Sequence, residues 1–210
     1  LKYREKLHPA QVNTAHKHIC VMAEATPTDG DCGVYAAAKR INEELFEKKY
    51  DLSDMPTVRR RLCNEAEEWI KQQTEEEQIC LFWQLVETAR LNKATMNYEA
   101  LTIQDLPEVM SHFSSSPVYV DHALLHCMCR ANDCCAIFWT FNQSDIPERS
   151  YREDQQPDLA NPLKNNCKIH LLHAPTKSVW TPESTTVTWQ QQNIAKIANH
   201  WLLLRPTEDP

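Results

Sequence analysis

Apolar residues recur at helical spacing through the first two thirds of the chain. The last third switches to short, nearly continuous apolar runs. Over 33–49, Val34, Ala37, Ala38, Ile41 and Leu45 predict a helix with one face packed inward. Ser53 or Asp54 ahead of Pro56 is a helix start, and Val58, Leu62, Ala66, Trp69 and Ile70 mark a second amphipathic helix. A third is predicted over about 75–91, with Ile79, Phe82, Val86 and Ala89 on one face. Residues 105–113 form a short fourth, and Ser116-Pro117 opens a fifth that reaches about Cys129.

Strand signals dominate afterwards. Residues 1–16 are polar and weakly patterned, and 18–22 form a possible short strand. The run Cys134-Cys135-Ala136-Ile137-Phe138-Trp139-Thr140-Phe141 is rich in β-formers and reads as a central strand. Residues 142–166 are polar, with three prolines, and read as a long loop. Strands follow at 167–173 and 200–204. Helices first and strands afterwards predict an α+β fold: one domain over 1–210, with a small central sheet flanked by helices.

Charge narrows the partners. The formal net charge is −7, which argues against nucleic acid as the main partner. The longest apolar stretch, 118–139, is interrupted by Asp121, Arg130, Asn132 and Asp133 and does not read as a membrane span. Nine cysteines are an odd number, and Cys134 and Cys135 are adjacent in an apolar run. They read as small buried hydrophobes in a protein of a reducing, intracellular compartment. The chain opens at Leu1 without a methionine, as an excised piece of a longer protein would, so the lack of a targeting segment carries no information.

The two glycines of the chain flank one thiol, in Asp29-Gly30-Asp31-Cys32-Gly33. Average usage is roughly 7% glycine, so placing both beside Cys32 marks a turn shaped around it. The helix-forming run from Val34 follows, putting Cys32 at a helix N-terminus, where exposed amides and the helix dipole favour a thiolate. A thiol nucleophile also needs a base. His200 opens the short apolar strand Asn199-His200-Trp201-Leu202-Leu203-Leu204, a position that holds a side chain rigidly at a cleft. Alone, a histidine there is an ordinary structural residue; the company of Cys32 singles it out.

These segments resemble the OTU (ovarian-tumour) family of cysteine deubiquitinases. The likeness rests on Thr28-Asp29-Gly30-Asp31-Cys32-Gly33 with its helix, the strand Ala136-Ile137-Phe138-Trp139-Thr140, and Asn199-His200-Trp201. It anchors the two ends of the fold and leaves 50–115 uncovered. The resemblance implies an OTU-like cysteine protease that hydrolyses isopeptide bonds after the last glycine of ubiquitin, with ubiquitin or polyubiquitin as partner and neither metal nor cofactor. Cys32 would be the nucleophile, His200 the general base, and Asp29 the aspartate many members keep there. Backbone N–H groups of the turn from Asp29 to Cys32, with Gly30 and Asp31 in it, would form the oxyanion hole, and Gly33 would leave room for an incoming main chain. Trp201 and Asn199, flanking the base, would contact substrate. The helices over about 54–113 exceed a minimal OTU core and read as an inserted arm, as in bacterial effector deubiquitinases, with host cytosol the compartment for a secreted effector. Viral and eukaryotic origins stay open.

One position departs from the family. Many members carry Asp or Asn two residues after the histidine, and Leu202 stands there, unable to accept a hydrogen bond. Orientation of the imidazole then falls to Asp29, the preferred reading, or to Asn199, Asn193 or a backbone carbonyl, or is absent. Two rival functions follow: a catalytically weak ubiquitin-binding module, and a cysteine acyltransferase or transglutaminase-like enzyme.

Two other constellations stand out. His122, His126, Cys127, Cys129, Cys134 and Cys135 are the densest set of possible metal ligands, but their spacing suits structural zinc poorly, and buried thiols are the reading. Glu65, Glu67, Glu68, Glu75, Glu76 and Glu77 form an acidic stretch, read as a solvated face. That stretch is also a candidate docking surface for ubiquitin, an idea that an unchanged KM after charge reversal at Glu75, Glu76 and Glu77 would remove.

Overall fold

Helix α1 (Cys32–Glu44) begins on the glycine-flanked cysteine itself. The structure, a computed structural model, describes residues 10–14, 17–24, 26, 30–45, 48–92, 94–115, 118–141, 147–149, 167–174 and 200–206. Ala36, Ala37 and Ala38 join high helix propensity to small volume, and all three are buried with Val34 and Ile41. Helix α2 (Met55–Lys71) starts as its sequence signals: Asp54 accepts from the Thr57 N–H at 3.3 Å, with Pro56 in the first turn. Helix α3 (Glu75–Leu91) carries a capping box of Thr74 and Glu77, acidic residues in its first turn, and Arg90 in its last.

A 3₁₀ turn (Ile103–Asp105) leads into α4 (Leu106–Ser115). Helix α5 (His122–Arg130) starts later than the Ser116-Pro117 signal suggests. The cap is Asp121, whose carboxylate accepts from the Leu124 N–H, and residues 118–121 ahead of it have no regular structure.

Six strands form one mixed sheet: β1 (Ala10–Thr14), β2 (Lys17–Glu24), β3 (Cys134–Phe141), β4 (Pro147–Arg149), β5 (Cys167–Ala174) and β6 (His200–Pro206). The order is β1-β2-β6-β5-β3-β4, antiparallel except for the β3–β5 pair. The chain is thus α+β; the short strand expected at 18–22 is β2, and a second strand, β1, lies ahead of it where none was expected. Strand β1 has a polar sequence and owes its conformation to pairing with β2, from Ala10↔Val21 to Thr14↔Lys17. Part of the polar 142–166 segment is also extended: β4 pairs along the end of β3.

The continuous apolar run of β3 is explained by burial on both faces. Ala136 and Phe138, with Ile169 and Leu171 of β5 and Trp201 and Leu203 of β6, share one core with the helices. Ile137 and Trp139 are buried too, on the opposite face by strand alternation, where Trp139 Nε1 donates to His170 Nδ1 at 3.1 Å. The helices of 54–113 contribute to the same buried cluster. Leu62, Ala66, Phe82, Leu85, Val109 and Phe113 all lie in that same core. Among the described residues, no helix is long and apolar enough to cross a membrane.

Much of the acidic stretch is bound within the fold. Glu65 accepts from the Tyr50 hydroxyl, from Lys49 at 3.1 Å and from Arg61 at 3.1 Å, tying α2 to the segment after α1. Glu77 serves the α3 cap, and Glu67 and Glu68 both meet Lys71.

Candidate active site

Asp31 occupies the N-cap position of α1 without capping it. Its main-chain carbonyl accepts from the Tyr35 N–H at 2.7 Å, which starts the helix, but its carboxylate turns to Arg59. Arg59, on α2 and 2% exposed, uses its whole guanidinium on this region. Nε donates to Asp31 Oδ1 at 2.6 Å, one terminal nitrogen to the Gly30 carbonyl at 2.6 Å, and the other to the Phe113 carbonyl of α4 at 3.0 Å. A buried arginine is tolerable when each of its nitrogens and its charge find a partner, as here.

Cys32, the first residue of α1, faces the start of β6. The Trp201 N–H donates to Cys32 Sγ at 3.4 Å, and the Thr26 hydroxyl donates to the Trp201 carbonyl. The reason lies in the sheet. Pairing of β2 with β6 is described from Val21↔Pro206 to Glu24↔Leu203, and Thr26 meets Trp201 two steps along in the same register. Helix α1 starts against the same strand, which sets its first residue, the thiol, on the backbone of the residue after His200. Cys32 is 2% exposed.

Gly33 has a different task from the one its sequence suggests. It lies inside α1, in ordinary helical backbone. A Cβ there would sit 2.8 Å from Trp201 Cδ1, 2.9 Å from Val120 Cγ2 and 3.2 Å from Leu125 Cδ1. The space beside Gly33 is filled by the indole, so glycine serves the docking of α1 on β6 rather than an incoming main chain. Trp201 is likewise corrected. Its side chain is fully buried, donates from Nε1 to the Val120 carbonyl at 2.8 Å, and stacks on His173 with centroids 4.3 Å apart. It is a core residue whose backbone, not its ring, reaches the site.

A second polar pair borders the thiol. The Tyr119 hydroxyl hydrogen-bonds His173 Nε2, and the two rings stack at 5.7 Å. Burial, with the nearby Asp121 and Cys32 sulfur adding negative charge, pushes the Tyr119 hydroxyl well above its usual range, so it keeps its proton. His122 completes the aromatic group, edge-on to Trp201 at 4.9 Å.

For His200 the described part is the backbone, in β6 opposite Ala174. Asp29, Asn193 and Asn199 lie outside the described residues. The structure thus brings Cys32, Gly30, Asp31 and the strand bearing His200 together. Sequence reasoning missed Arg59, Tyr119 and His173. Arg59 did leave a trace: it stands three and seven residues before Leu62 and Ala66, on the apolar stripe of α2, where a cation is out of place.

The other thiols have quieter settings. Burial pushes Cys63 up to about 12, and also raises Cys127 and Cys129, so these stay protonated. Cys134 and Cys167 are register partners on β3 and β5, and their mutual hydrogen bond pushes the Cys134 thiol up. Among the described residues, no three His, Cys, Asp or Glu side chains are grouped to hold a metal ion.

No protein-family model matches the chain, and no curated protein matches it significantly in sequence.

Proposed function

We propose that this chain is an OTU-like cysteine protease that hydrolyses the isopeptide bond after the C-terminal glycine of ubiquitin. The observation that carries the reading is the Trp201 N–H on Cys32 Sγ at 3.4 Å: a thiol at a helix N-terminus beside the residue that follows the candidate base. His200 takes the Cys32 proton, and the thiolate attacks the glycine carbonyl. Amides of the turn at Gly30, Asp31 and Cys32 stabilise the oxyanion. The proton passes from His200 to the departing lysine amine, leaving a thioester. Water, activated by the same imidazole, hydrolyses it and restores the thiol. Asp29 is the residue assigned to orient the ring, since Leu202 cannot. Because Cys32 is 2% exposed, substrate reaches it through a local opening.

The protein works in a reducing compartment, the host cytosol if it is a secreted effector, as its thiol nucleophile requires. Wild type, Cys32→Ala and His200→Ala are to be compared on fluorogenic ubiquitin and on diubiquitins of each linkage. Cleavage lost in both variants supports the reading. Ubiquitin binding with no turnover by wild type would establish the inactive module, and acyl transfer to an added amine in preference to water would establish the acyltransferase.

A further inference from the structure

We propose that Arg59 is a positioning residue for Cys32: with the Gly30 carbonyl bound in the same fork, it holds the Asp31 carboxylate off the α1 amides and neutralises its charge beside the thiol. The inference rests on the reading of Cys32 as the nucleophile. Three observations support it. First, the Gly30 carbonyl accepts from Arg59 at 2.6 Å, and in a trans peptide the Asp31 N–H points the opposite way, out of the guanidinium's side of the turn. Second, the Asp31 carboxylate would otherwise be free to cap α1, folding its charge over the amides that an oxyanion needs; bound to Arg59 Nε at 2.6 Å, it does not. Third, the guanidinium is itself anchored on α4 through the Phe113 carbonyl at 3.0 Å, so α2 and α4 together fix the turn.

The arrangement has an electrostatic side. The Cys32 sulfur meets the Trp201 N–H and interacts electrostatically with Tyr119 ahead of α5, which is bonded to His173 of β5; Asp31, next to Cys32 in the chain, is paired with Arg59 from α2. Asp29 and His200 are its neighbours in the chain and along β6. Asp31 is the acid one residue from the thiol, and Arg59 neutralises it. Removing the cation alone exposes the thiolate to a bare carboxylate; removing the acid alone leaves it beside an unopposed guanidinium.

The test is the pH profile of Cys32 alkylation by iodoacetamide, mapped to its peptide by mass, because this reads the thiolate whether or not ubiquitin is the substrate. Circular-dichroism melts establish that each variant is folded. Arg59→Met is expected to raise the midpoint by about one pH unit, a tenfold loss of thiolate below it. Asp31→Asn, which keeps an acceptor for Arg59 and tolerates folding best, is expected to lower it by a similar amount. Adding Asp31→Asn to Arg59→Met is expected to return the midpoint to near wild type, and Arg59→Lys, which keeps the charge, to stay near it as well. A purely structural arginine would give no such opposite and compensating shifts. Superimposable profiles for wild type and Asp31→Asn, or a double variant no different from Arg59→Met, would overturn the proposal. Loss of ubiquitin cleavage in wild type with these shifts intact would count against the substrate and leave the role of Arg59 standing.

Discussion

Replacing Gly33 with alanine places one methyl group where the structure has no room. Backbone is not the obstacle, since Gly33 is already helical and alanine is favoured over glycine in a helix by up to about 1 kcal/mol. The obstacle is the Trp201 ring carbon at 2.8 Å and the Val120 methyl at 2.9 Å, both closer than real Cβ contacts come. Both belong to fully buried residues, and Trp201 is held on one side by its bond to the Val120 carbonyl and on the other by the His173 stack. Overpacking such a site costs about 2–3 kcal/mol, so the net destabilisation is about 1–2 kcal/mol after the propensity gain. For a chain of 210 residues, that is a fall in Tm of roughly 3–6 °C. The same shift of Trp201 pulls its N–H from Cys32, so the alkylation rate of Cys32 changes along with Tm. Thermal melts followed by circular dichroism, paired with iodoacetamide kinetics at Cys32, measure both. An unchanged or higher Tm would refute the close-packing account of Gly33.

Two further predictions concern the thiols and the base. Burial raises Cys63 from its ordinary 9.0 to about 12, so the unfolded chain loses that proton first and stability drops as pH climbs from 9 towards 12. Cys63 accounts for about 1 kcal/mol of the loss between pH 8 and pH 10, and urea midpoints of Cys63→Ala should fall less steeply over that window than those of wild type; parallel curves would refute this. His200→Ala should lower kcat by about 10²–10⁴-fold with little change in Tm, whereas His173→Ala should chiefly lower Tm, through loss of the Tyr119 bond and the Trp201 stack. The reverse pattern in paired kinetic and melting measurements would move the base to His173.

Elements with strong local signals were legible from sequence. The Asp54-Met55-Pro56 start of α2, the helical spacing of apolar residues in α3 and the continuous apolar run of β3 all carry their causes in neighbouring residues. What escaped in the fold had weak local signals, and what escaped at the site was set by partners distant in the chain. Strand β1 is extended because β2 pairs with it, and α5 begins where Asp121 finds the Leu124 N–H rather than at Pro117. At the site, the Asp-Gly-Asp-Cys-Gly pattern did locate the thiol at a helix start. The reason for Gly33, though, is an indole 168 residues away, and the reason Asp31 leaves its cap position is an arginine on another helix. Such roles appear only when α1, α2 and β6 meet.

The central claim is that Cys32 is the nucleophile for a carbonyl at the ubiquitin C-terminus. The measurement that bears on it most directly is the intact mass of the protein after incubation with ubiquitin carrying an electrophile in place of its last carboxylate. The account predicts one adduct on wild type and none on Cys32→Ala. An adduct that persists in Cys32→Ala, or no adduct on wild type while iodoacetamide still alkylates Cys32, would contradict it.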